Sequence, residues 1–162
     1  MTIEIRHLFE CPEHLGEVAR LIHQEWWSEK VGHSVSTMAA RLAQARNKES
    51  IPLSLVALER DQPIGTVNLV ENDNDERQDL TPWLAALLVV PEARGKGVGT
   101  RLVRSLVKEA AGLGVPRLYL GTDIPGYYTR LGANLFAECP EAYCIMSIDT
   151  APDRALGVRG RP

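Results

Sequence analysis

Several special classes are excluded by what this sequence lacks. No stretch approaches the roughly 20 unbroken apolar residues of a membrane span, the longest run being WLAALLVV at 83–90. Cysteine is scarce, 3 in 162 residues, and an odd number at irregular spacing does not make a disulfide framework. A bridge between Cys139 and Cys144 across a hairpin is conceivable, but the count and spacing favour reduced thiols. Neither sign of charge dominates: 18 Lys+Arg face 21 Asp+Glu, a net of −3. Nucleic-acid or membrane-surface binding is therefore not the expected task. The opening MTIEIRHLFE mixes acid and base and carries no signal-length apolar run, so a cytoplasmic protein is expected. Internal repeats are absent.

What remains is an ordinary globular composition, 44% hydrophobic and 24% charged, in a length that suits one domain. That domain is expected over residues 1–150, with a disordered tail over 151–162. Alternation in TIEIRH (2–7) predicts a strand. Apolar spacing through Leu15, Val18, Ala19, Leu21 and Ile22 predicts a helix over 11–26. A polar loop (28–36) and a second helix over 37–47 follow. Strands over 52–60 and 63–71 form a hairpin turning at Asp61-Gln62. The acidic stretch 72–82 lacks the ligand spacing of a calcium loop and reads as a solvated hairpin tip, so no metal is expected. WLAALLVV reads as a central strand covered on both faces. Then come a helix over 97–113, a strand over 117–122, a short helix or turn over 125–132, and a closing strand pair over 133–138 and 142–148. The order β-α-α-β-β-β-α-β-α-β-β makes a mixed α/β sheet.

Between the apolar run and the long helix lies VVPEARGKGVGTRL (89–102), with Gly95, Gly97 and Gly99 at alternate positions. Bare glycine backbone lets N–H groups approach a ligand closely. A helix that begins there adds unsatisfied N–H groups and a partial positive charge. The chemistry is that of an anion cradle suited to a diphosphate, with Arg94 and Lys96 at its rim. A dinucleotide turn of the G-x-G-x-x-G type does not fit, nor does a Walker loop, because Gly97 follows Lys96 where a hydroxyl residue is needed after the lysine.

The stretch Arg94-Gly95-Lys96-Gly97-Val98-Gly99 instead resembles the acyl-CoA signature of the GNAT family of N-acetyltransferases, R/Q-x-x-G-x-G/A. The V-x-P-E before it and YYTRLGA (127–133), similar to the family's F-Y-x-x-L-G-F, strengthen the likeness, which covers about residues 3–148. The resemblance implies the acyl-CoA N-acyltransferase fold: one mixed, mostly antiparallel sheet with helices on both faces. It also implies acetyl-CoA as cofactor and transfer to a primary amine, carried by a small molecule or a peptide, in a monomer or homodimer. A non-catalytic acyl-CoA sensor is the alternative.

Carried over residue by residue, the likeness implies that the main chains of Leu88, Val89 and Val90 bind the pantetheine arm. The N–H groups of Arg94, Gly95, Lys96, Gly97, Val98, Gly99 and Thr100 would hold the diphosphate, with Arg101 and Arg104 as candidates for a further phosphate. Thr122 or Asp123 would replace an asparagine that the family often places before its last helix. Tyr128 falls at the tyrosine beside the leaving sulfur, and Tyr127 is expected to be a packing aromatic. WLAALLVV offers no carboxylate, so Glu71 is the nearest candidate base, alongside a water chain ending on main-chain carbonyls. Glu25, Trp26, Trp27 and His33 are candidates to line the acceptor pocket.

Overall fold

A computed structural model describes residues 2–138 and 143–151. Seven strands join in one sheet of order β1-β2-β3-β4-β5-β7-β6. They are β1 (Ile3–His7), β2 (Leu53–Glu59), β3 (Gln62–Val70), β4 (Trp83–Val89), β5 (Arg117–Thr122), β6 (Asn134–Glu138) and β7 (Cys144–Asp149). All neighbouring pairs are antiparallel except β4 and β5. The helices are α1 (Leu15–Ile22), α2 (Val35–Leu42), α3 (Val98–Gly112) and α4 (Pro125–Thr129).

Each face of the sheet is closed by the apolar stripe of a helix. On one face Leu102, Val103 and Leu106 of α3 pack on Leu55, Leu69 and Leu120. On the other, Val18 and Ile22 of α1 with Met38 and Leu42 of α2 cover Val56 and Leu58. Strand alternation in β2 divides the two sets: odd residues turn to α3, even ones to α1 and α2. Trp83 at the start of β4 is wholly buried, its Nε1 donating to the Leu80 carbonyl at 2.7 Å. Among the described residues no helix is long and apolar enough to cross a membrane.

Several boundaries differ from the sequence reading, each for a local reason. The helix expected over 11–26 is an α-helix only over 15–22. A 3₁₀ turn (Pro12–His14) precedes it and a π turn (His23–Trp27) follows. The second helix starts early because Ser34 caps it: its Oγ accepts from Thr37 N–H while Thr37 Oγ1 accepts from Ser34 N–H. The β2–β3 hairpin turns on Arg60 and Asp61, both at positive φ (52° and 61°), one residue before the expected place. Asp61 is tied there by His14, whose Nε2 lies 2.9 Å from Oδ1.

β4 is not covered evenly on both faces. Its register with β3 steps from Thr66↔Leu88 to Asn68↔Ala85, so two residues face Val67, and Ala86 takes φ 51° to absorb the bulge. Ala86, Leu87 and Val89 are only half-buried. The closing pair forms as expected, β6 against β7, with β7 lying between β5 and β6. Cys139, half of the conceivable bridge, falls outside the described residues, as does the tail from 152; Cys144 is buried on β7.

Gly65 shows how tightly α3 meets the sheet. A Cβ there would stand 2.9 Å from the Leu88 carbonyl oxygen and 3.0 Å from a Leu102 methyl. Backbone cannot yield as a flexible side chain can. Gly65→Ala is therefore expected to destabilise the fold by about 1–3 kcal/mol, read as a lower urea midpoint at unchanged m-value. An unchanged midpoint would contradict this packing.

Candidate active site

The glycine-rich stretch folds as a cradle at the positive end of the longest described helix. Gly95 and Gly97 sit at φ 76° and 81°, in the left-handed region, and Gly97 is the N-cap of α3. That conformation turns successive N–H groups to one side, which makes a concavity for an anion. Among the described residues, nothing accepts a hydrogen bond from the N–H of Gly95, Lys96 or Gly97. Val98, Gly99 and Thr100 form the first helical turn, whose N–H groups have no intrahelical acceptor. Six consecutive amides thus stand open. Arg94 does not join them: its N–H donates to the Pro91 carbonyl at 3.3 Å. Arg101 and Arg104 are exposed along the same helix.

Beside the cradle the sheet splits. β4 and β5 run parallel but register at one position only, Trp83↔Tyr119, with Tyr119 N–H donating to the Pro82 carbonyl at 3.0 Å. Further along, toward Val89 and Thr122, the strands share no ladder, leaving a wedge-shaped gap. The three β4 residues expected to face a ligand do not face it equally. Val90 N–H donates to the Ile64 carbonyl at 2.9 Å, so Val90 and, by alternation, Leu88 spend their main-chain groups on β3. Val89 alone turns toward the gap, and its carbonyl accepts from Arg94 Nε at 2.9 Å. An arm bonding that carbonyl would share it with the guanidinium or displace it, since a carbonyl oxygen can accept twice.

Tyr128 joins the core on the α3 face of the sheet, 8% exposed. Its ring meets Tyr127 edge-on at 5.0 Å, and its hydroxyl makes no hydrogen bond to a described residue. Burial, with the Tyr127 phenol second, pushes its pKa up to about 12. Tyr127 packs as expected, but in a telling place: a Cβ at Gly99 would lie 2.6 Å from its hydroxyl, so α4 closes directly on the cradle. Thr122 is buried, its Oγ1 accepting from Ile124 N–H at 2.9 Å, and Asp123 beside it is exposed.

The remaining candidates scatter. Glu71 is exposed next to Trp83, at the closed end of the wedge, and accepts from Thr81 Oγ1 at 3.1 Å. The run of β4 from Trp83 to Val89 puts roughly 20 Å between that end and the cradle. Glu25 and Trp26 are exposed on the π turn. Trp27 stacks on His33 at 4.4 Å and already holds Lys30 Nζ 4.7 Å from its ring centre, so its face serves cations of its own chain.

Two features escaped the sequence reading. Asn68 and Ser54 are register partners on the α1/α2 face, both buried, and Asn68 Nδ2 and Ser54 Oγ have no partner among the described residues. Tyr143 stands over Gly121 at the open end of β5, so that a Cβ at 121 would collide with its hydroxyl. Only the fold brings these residues together; a polar residue in an apolar strand is the one hint that the sequence holds for Asn68.

A family model described as the acetyltransferase (GNAT) family matches residues 18–133. No curated protein matches the sequence. Among solved structures, an aminoglycoside 6'-N-acetyltransferase from Enterococcus faecium is 21% identical over 94% of this chain and 98% of its own, with a TM-score of 0.69. PaiA N-acetyltransferase from Thermoplasma acidophilum, solved with coenzyme A, is 22% identical over 92% and 99%, at TM-score 0.60. YncA from Salmonella typhimurium, solved with acetyl-CoA, is 17% identical over 94% and 99%, at 0.71. At these identities the likeness is one of fold.

The raised Tyr128 pKa carries a stability signature. Its folded value lies above the ordinary value of about 10, so the unfolded chain loses this proton first as pH rises. Stability from this group is whole below pH ~10 and falls by about 1.4 kcal/mol per pH unit between ~10 and 12. Urea midpoints at pH 9.5 and 11.5 are expected to drop more for the wild type than for Tyr128→Phe. Equal drops would show that the phenol is not held neutral.

Proposed function

The chain belongs to the acetyltransferase (GNAT) family, and on that premise we propose that it moves an acetyl group from acetyl-CoA to a primary amine by direct attack. The observation that carries this is the row of open amides from Gly95 to Thr100 beside the split in the sheet. A diphosphate needs several convergent donors, and the cradle offers them with two glycines at positive φ and no side chain in the way. Solved neighbours in this fold hold coenzyme A or acetyl-CoA. The residues present fit such a group: Gly95–Thr100 would hold the diphosphate, Val89 the arm, and the wedge would admit the thioester. Acetyl-CoA supplies the activated acyl group.

The rest is done by the protein. The acceptor nitrogen's lone pair forms the new N–C bond while the C–S bond breaks onto sulfur, and the nitrogen's proton leaves to solvent. Tyr128 would donate a hydrogen bond to the sulfur as charge develops. Full proton transfer is a poor route: a phenol at about 12 facing a thiol near 8.5 makes it uphill by roughly 5 kcal/mol. Stabilisation by the undissociated O–H fits the burial better.

The base is a separate question. A lysine-like amine needs about 4.6 kcal/mol to be neutral at pH 7, a peptide α-amine about 1. Glu71, at the closed end of the wedge, would reach the nitrogen only through water. We therefore assign deprotonation to solvent chains in the gap, with Glu71 at most their far terminus. If the arm takes the Val89 carbonyl from Arg94, the freed guanidinium would lie at the rim of the diphosphate cradle.

Two variants separate the roles. Gly97→Val burdens a left-handed position and is expected to weaken coenzyme A binding at least about tenfold by calorimetry. Tyr128→Phe is expected to lower kcat by about 10- to 100-fold with coenzyme A affinity retained. Retained affinity in Gly97→Val would remove the cradle from the mechanism, and full turnover in Tyr128→Phe would remove the phenol.

A further inference from the structure

Helices cover the sheet unequally. α1 and α2 lie over β1 to β3, whereas α4 meets β6 and β7 from the α3 side, where Tyr128 joins that core. The α1/α2 face of β5, β7 and β6 has no helix on it among the described residues. Alternation along β5 and β7 sets Tyr119, Gly121 and Tyr143 on this face, where Leu80 of the β3–β4 connection packs with Trp83 and Ile145. Tyr119 meets Phe136 edge-on at 5.1 Å and tilts against buried Trp83 at 6.0 Å. Phe136 on β6 and Tyr143 just before β7 are 40% and 38% exposed. Bare Gly121 is what lets the Tyr143 ring lie over β5 at the mouth of the wedge.

The rim of this surface is acidic. The segment 71–79 holds Glu71, Asp73, Asp75, Glu76 and Asp79 against a single Arg77. The patch already accommodates one cation: the Arg77 guanidinium sits 5.7 Å over the Phe136 ring while forking onto both oxygens of Asp79 at 3.0 Å. An aromatic face flanked by carboxylates suits a positive charge carried on an apolar body.

We infer that this face seats the acceptor, and that the acceptor is an amine with a second cationic centre on an apolar spacer. The reacting nitrogen enters the wedge beside Tyr143, the spacer lies across Tyr119, Phe136 and Tyr143, and the second charge is met by the 71–79 carboxylates. The inference rests on the acetyl-transfer reading of the same site.

The test compares n-pentylamine with 1,5-diaminopentane, by steady-state turnover with acetyl-CoA and by calorimetry on the protein saturated with coenzyme A. The diamine is expected to show at least about tenfold higher kcat/KM and measurable binding. In Tyr143→Ala its KM and its calorimetric Kd should both rise about tenfold, with kcat much less affected. Tyr143→Phe, which keeps the ring, should recover most of that loss, and Phe136→Ala should reproduce the loss from an exposed position that threatens folding little. Equal use of the two amines, or no diamine binding to the coenzyme-loaded protein, overturns the inference. So does unchanged diamine affinity in natively melting Tyr143→Ala and Phe136→Ala. Failure of coenzyme A itself to bind would instead overturn the acetyl-transfer reading beneath it.

Discussion

The parting of β4 from β5 governs the rest of this molecule. Two parallel strands that register only at Trp83↔Tyr119 leave main-chain polar groups facing a wedge, where neither a ladder nor a dry core satisfies them. The fold meets the deficit in part, by swinging Arg94 back onto the Val89 carbonyl. The bulge at Ala86 belongs to the same arrangement, since an extra residue in β4 turns the strand's end and loosens its relation to the neighbour. Trp83 anchors the closed end: wholly buried and hydrogen-bonded, it fixes where the separation begins.

From that constraint the chemistry follows in layers. The end of β4 leads through a short turn into the left-handed glycines and then α3, so the open amides lie beside the wedge. On the α3 side, burial raises the Tyr128 pKa to about 12 and so favours the undissociated phenol. On the opposite side no helix covers β5, β7 and β6 among the described residues, Leu80 packs on Trp83 and Ile145, and Tyr143 stands over Gly121. The two faces of one gap thus differ, a buried phenol on the α3 side and partly exposed rings on the other.

Much of this was legible in the sequence, and what was not has physical causes. The glycine spacing, the apolar run before it and the amphipathic helix after it are local patterns, and the structure has the cradle where they indicate. The long helix and the strand over 117–122 were equally clear, because apolar periodicity is strong there. The split of the first helix into 3₁₀, α and π turns was hidden, since all three share nearly the same apolar spacing. The placing of β7 between β5 and β6 is a matter of topology and leaves no local mark. Leu88, Val89 and Val90 looked equivalent as an apolar triplet; only strand pairing shows that one of them turns to the gap. Glu71 looked close to the site along the chain but stands at the far end of the wedge. Tyr143 meets Gly121 only through a strand insertion that no spacing rule conveys.

That insertion also bears on how the chain is made. β7 (Cys144–Asp149) bonds to β5 on one side and β6 on the other, so it is the joist between the halves of the sheet's far end. Without residues 144–149, β2 to β4 can still pair as neighbours along the chain, but β6 has no strand beside it and β5 keeps only its contact with β4. Completing the far end of the sheet therefore depends on the last described strand. A chain interrupted there would present adhesive backbone rather than a smaller working enzyme.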